Sequence, residues 1–165
     1  MRLIPGLLYV VALASAAVAQ TGASSQPPDA RALLEEIEES GPKAVLGRLW
    51  ADAPQFEAVC THIETGEAMW LEVARRLKPV SDAAASLSLN YSVARALPAA
   101  PARVLGLVGH GFTVHGICTS PFIESEPDVA ERYEARALQA LATLKSTQLG
   151  PLADQCAQRV RLPVR

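Results

Sequence analysis

The chain has 165 residues, half of them hydrophobic but only 5% aromatic, with three cysteines and a formal net charge of −2. That length suits one domain with a core of useful size. So balanced a charge removes any electrostatic case for nucleic acid or an anionic membrane surface as partner.

The N-terminal residues fall into three zones. Arg2 gives a short positive region, residues 3–13 are apolar apart from Pro5 and Gly6, and Ala17-Val18-Ala19 sets small residues where a signal peptidase reads them. Residues 1–19 are therefore expected to be a secretory signal peptide, cleaved between Ala19 and Gln20. The apolar run is shorter than the roughly 20 residues a membrane span needs. No later stretch is long and apolar enough, so the exported chain is expected to carry no transmembrane span. Its address is expected to be the periplasm or the extracellular medium. Residues 20–28 are rich in Ser, Gly, Gln and Pro and are expected to form a disordered lead-in. Residues 29–165 are expected to form a single helical domain.

Ala and Leu dominate this domain, which favours helix over strand. Asp29 reads as an N-cap, Leu33, Leu34 and Ile37 follow at helical spacing, and Gly41-Pro42 ends the first helix and opens a second reaching Trp50. Pro54 starts a third, on which Phe56, Val59, Cys60 and Ile63 form an apolar stripe. Met69, Trp70, Val73 and Leu77 mark a fourth, stopped by Pro79. Ser81-Asp82 caps a fifth, whose buried face is expected to be Ala84, Leu87, Tyr91, Ala94 and Leu97. Pro101 opens a short helix with Val104, Leu105 and Val108, broken at Gly109-His110-Gly111. Residues 112–118 alternate like a strand but have no partner strand, so they are read as a short helix. Pro127 begins the longest helix, with Val129, Tyr133, Ala137, Leu141 and Leu144 on one side, and Leu152, Cys156 and Val160 mark the last. The expectation is an all-α, compact multi-helix bundle of about nine segments without a sheet.

Three matches suggest an internal duplication. Pro42-x-x-Val45-Leu46-Gly47 returns as Pro101-x-x-Val104-Leu105-Gly106, Cys60-Thr61 as Cys118-Thr119, and Ala74-Arg75-Arg76-Leu77 as Ala135-Arg136-Ala137-Leu138. Their shared order favours duplication over chance, with stacked units at 29–79 and 81–161.

Three cysteines in an oxidising compartment point to a disulfide. If the last two long helices form an antiparallel hairpin, Cys118 and Cys156 meet, which is the favoured pairing; Cys60–Cys118 competes. Cys60 would then remain as a small buried hydrophobe. Cys60, His62, His115 and Cys118 contain the ligand types of a zinc site, but at no familiar spacing, and a site there would forbid the favoured disulfide. Gly106-x-x-Gly109-x-Gly111 is not a phosphate loop, no nucleophile elbow is present, and Glu124, Glu126 and Asp128 read as helix N-terminal charge. No catalytic, cofactor-binding or metal-ligating residue is thereby assigned. Trp70 is expected in the core, whereas Trp50, at a helix end, is as well placed to anchor a partner.

The leading expectation is a non-enzymatic binding module whose partner is another exported protein. The alternatives are a metal- or thiol-dependent activity around Cys60, His62, His115 and Cys118, and a structural envelope component.

Overall fold

The computed structural model describes residues 29–122 and 127–161. The expected signal peptide and lead-in, together with Glu124 and Glu126, lie outside the described residues. Nine α-helices make up the described fold: α1 Ala30–Ser40, α2 Pro42–Ala51, α3 Ala53–Glu64, α4 Ala68–Leu77, α5 Ala83–Ala96, α6 Pro101–Leu105, α7 Val114–Ile117, α8 Pro127–Ala142 and α9 Gly150–Val160. There is no sheet among the described residues. Residues 112–118 supply α7 and one isolated parallel bridge between Val108 and Phe112, too little to be a strand. None of these helices is long and apolar enough to cross a membrane.

The helix starts follow from local chemistry. Asp29, Asp52 and Asp82 accept backbone N–H bonds from Arg31, Gln55 and Ala85, filling orphan donors of α1, α3 and α5. Pro42 and Pro101 sit at the first positions of α2 and α6, where a missing N–H costs nothing. Pro79 ends α4 because it cannot donate to the preceding turn, and the chain tightens into a 3-10 turn, Lys78–Val80. Gly66 reverses the chain between α3 and α4 at φ 74°. A Cβ there would come within 2.6 Å of Ala100 Cβ, so both its conformation and its neighbour demand glycine.

α5 is the hub, with α3, α4, α6 and α7 packed around it. This corrects the expected buried face. Ala94 and Leu97 are buried, but Ala84 is exposed, Leu87 is 49% exposed, and Tyr91 is half-buried. The face that packs is Ala85, Leu89, Ser92, Val93 and Ala96. Small apolar residues lie all round this helix, so its own sequence defines no single stripe. The neighbours select the face on which Ala and Ser let backbones approach.

Ion pairs tie the outer helices together. Arg48 donates twice to Glu36, at 2.8 and 2.6 Å, joining α2 to α1. Arg76 meets Glu38 at 2.7 Å, joining α4 to α1. The acidic face of α1 thus serves partly as a docking strip. On the other side α8 and α9 pack as a pair, and α9 also packs on α7. Cys118, capping α7, is joined to Cys156 of α9, with sulfurs 2.04 Å and Cα atoms 5.1 Å apart. Tyr133 of α8 donates its hydroxyl proton to the Ala94 carbonyl at 2.8 Å. Lys78 is buried, and among the described residues no carboxylate pairs with it. It donates to the carbonyl and hydroxyl of Ser86 and lies over the Phe112 ring, 5.2 Å from its centroid.

The matched segments of the two halves are alike at one place. Val45-Leu46 and Val104-Leu105 are buried on helices opened by proline. Cys60 lies within α3 whereas Cys118 caps α7, and Ala74–Leu77 closes α4 whereas Ala135–Leu138 lies inside α8.

Candidate functional site

Two helices carry polar stripes of identical spacing. On α3 the residues are Glu57, Cys60, Thr61 and Glu64; on α5 they are Ser88, Tyr91, Ser92 and Arg95. Both follow i, i+3, i+4, i+7, one face of a helix. Glu64 pairs with Arg95 at 3.0 Å, and the Ser92 hydroxyl acts on the Cys60 thiol, so the two helices run in the same direction with their stripes side by side. Between them lies a groove of about 520 Å³. That is within the range of small-molecule sites.

Its upper rim is aromatic. Trp50, at the end of α2, is 44% exposed and meets Phe56 edge-on with ring centroids 5.1 Å apart. Phe56 is buried, so its ring fixes the indole while much of Trp50 faces solvent. Tyr91 is half-buried on the opposite wall. An exposed, braced Trp at a groove mouth is the kind of rigid contact surface that dominates binding energy.

The far end holds an engaged cation. Arg95 donates to Glu64 and, at 3.1 Å, to the Pro121 carbonyl, and its guanidinium lies 5.3 Å from the centroid of the Phe122 ring. Phe122 in turn meets Tyr133 edge-on at 5.6 Å. Pro121 and Phe122 therefore hold Arg95 in place at that end of the groove.

Cys60 is free and half-buried in the groove wall. It lies at the margin of the α3 stripe, because Phe56, Val59 and Ile63 take the core positions and leave Cys60 turned toward α5. This corrects the expectation of a thiol sealed in the core. Burial raises its pKa, opposed by the Ser92 hydrogen bond, with Glu64 raising it, Arg95 lowering it and Glu57 raising it in turn. The thiol is thus held neutral, the opposite of the electropositive setting that activates a nucleophilic cysteine.

The four candidate metal ligands are not brought together. Cys118 is consumed by its bond to Cys156. His62 stacks flat on Trp70, with centroids 4.6 Å apart and planes 9° from parallel. His115 is exposed on α7, its Nδ1 2.5 Å from Arg159 Nη2. Among the described residues no group of three or more His, Cys, Asp or Glu could hold a metal ion. Trp70 is buried at 5% exposure, as expected of a core residue. Asp128 lies in the first turn of α8 and pairs with Arg132 four residues on.

Sequence reasoning weighed Trp50 and Cys60, set Tyr91 on the buried face of its helix, and passed over Ser88, Ser92 and Arg95. A signal existed, since four polar residues at one-face spacing interrupt an otherwise Ala- and Leu-rich helix. Their register against α3 could be known only from the packing. No protein-family model, curated protein or solved structure matches this chain.

Proposed function

We propose that this chain is exported, loses residues 1–19, and works outside the cytoplasm as a binding module that holds another exported protein at the groove between α3 and α5. The observation that carries this reading is the groove itself, with the braced and exposed Trp50 at its mouth. The Cys118–Cys156 disulfide supports export, because such bonds persist in oxidising compartments. The raised pKa of Cys60 favours binding over thiol chemistry in the same groove.

A photo-reactive residue in place of Ser88 tests this in the host that makes the protein. Ser88 lines the groove, and an exposed control position, Gln155, lies on α9. The reading expects one discrete protein adduct from position 88, none from position 155, and a chain beginning at Gln20. A uniform smear from both positions, or no adduct from position 88, rules out the groove as a partner site. An intact N-terminus at Met1 rules out cleavage.

A further inference from the structure

The geometry points to a basic segment as the groove's occupant: a peptide stretch of the partner whose Lys or Arg side chain lies against Glu57 and Trp50, with an apolar neighbour over Tyr91 and Cys60. This rests on the groove being the binding site and adds the chemistry of what enters it.

Charge complementarity carries the inference. Among the described residues, three ionisable side chains other than the neutral thiol and the phenol line the groove: Glu57, Glu64 and Arg95. Arg95 is spent on Glu64, on the Pro121 carbonyl and on the Phe122 ring. Those two charges cancel at one end. Glu57 is seven residues earlier on α3, about 10 Å away along the axis at the helical rise. It is exposed and meets no cation among the described residues. Among the described residues the net charge of the groove is therefore negative, and it sits at the aromatic end.

The surroundings reinforce the sign. Residues 29–67, which build α1 to α3, carry nine acids against three bases. Of those bases Arg48 is held by Glu36. A partner's cation approaching Trp50 and Glu57 gains from the carboxylate and from the indole and phenol faces. An acidic segment would meet Glu57 with no available cation, since releasing Arg95 would break three contacts. The middle of the groove, between Cys60, Tyr91 and Ser92, suits one apolar side chain, because burial keeps the thiol uncharged.

Short acetylated, amidated peptides with a central lysine, norleucine or glutamate between leucines test this, titrated into the isotope-labelled full chain and followed by amide shifts. Norleucine keeps the lysine stem without its charge. The lysine peptide should shift the amides of Cys60, Ser88 and Tyr91 and bind about fivefold tighter than the norleucine peptide, as one partly desolvated charge contact over an aromatic face would give. Glu57→Gln should erase that preference, and in the unsubstituted chain added salt should weaken it. Equal binding of all three peptides, tighter binding of the glutamate peptide, or an unchanged preference in Glu57→Gln overturns the cationic assignment while leaving the groove reading intact. If no peptide moves these amides at millimolar concentration, the groove reading falls with it.

Discussion

Tyr133 shows how one side chain can close a gap that a proline opens. In a continuing helix the Ala94 carbonyl would accept from the residue four on, but that residue is Pro98, which has no N–H. Leu97 supplies a tighter bond at 3.0 Å, and the Tyr133 hydroxyl supplies the second at 2.8 Å. Tyr133→Phe should therefore cost about 1 kcal/mol at neutral pH, read from denaturant unfolding. The same burial raises the phenol's pKa above its ordinary value, with Arg95 pulling weakly the other way. A raised pKa means the folded state holds its proton more tightly than the unfolded chain. Its contribution is then complete below about pH 10 and declines as pH rises beyond the unfolded value. Cys60, also raised, declines from about pH 9 in the same sense. The stability gap between wild type and Tyr133→Phe should thus narrow between about pH 10 and 11, while Cys60→Ser should flatten the earlier part of the alkaline decline. A gap that stays constant over that range would contradict the burial of the phenol.

Most helices were legible because their ends carry local chemistry: Asp29, Asp82 and the prolines at 42 and 101 mark starts that need no tertiary context. The hairpin of α8 and α9 was legible for the same reason, and with it the meeting of Cys118 and Cys156. What stayed hidden was rotation about the helix axis. α5 offers Ala, Ser and Leu in every direction, so Leu87 and Leu89 are equal candidates in sequence, yet one is 49% exposed and the other fully buried. The groove inherits that ambiguity, since a turn of α5 by one residue would swap its polar stripe for another. The disulfide acts at the scale of these elements. It closes a separation of 38 residues and anchors α9 to the end of α7, a short helix that packs on α5. Removing the crosslink frees the unfolded chain by about 4 kcal/mol on the loop-entropy relation. The double variant Cys118→Ala/Cys156→Ala should then melt at least about 10 °C lower by circular dichroism. A change within about 3 °C would mean that packing alone holds α9 in place.

Across the whole molecule one apolar cluster runs from Ala30 of α1 to Val160 of α9, passing through Leu77, Leu89, Leu105 and Ile117. The two suggested halves meet at α5, which packs on α3 and α4 of the first and on α6 and α7 of the second. A core shared in this way leaves neither half able to cover its apolar face alone, so unfolding should be a single cooperative event. Both tryptophans lie in the first half, at positions 50 and 70, whereas the helices span both. Fluorescence therefore reports one half, and far-ultraviolet circular dichroism reports the whole. Their urea midpoints should coincide in the wild type. They should also shift together in Leu89→Ala, which removes a fully buried side chain at the hub and should cost about 2–5 kcal/mol. If fluorescence were lost while part of the helix signal persisted to higher urea, the halves would be separate folding units joined at α5. The groove between α3 and α5 would then be a boundary able to open. Coincident midpoints would instead mean that α3 and α5 separate only when the whole fold unfolds.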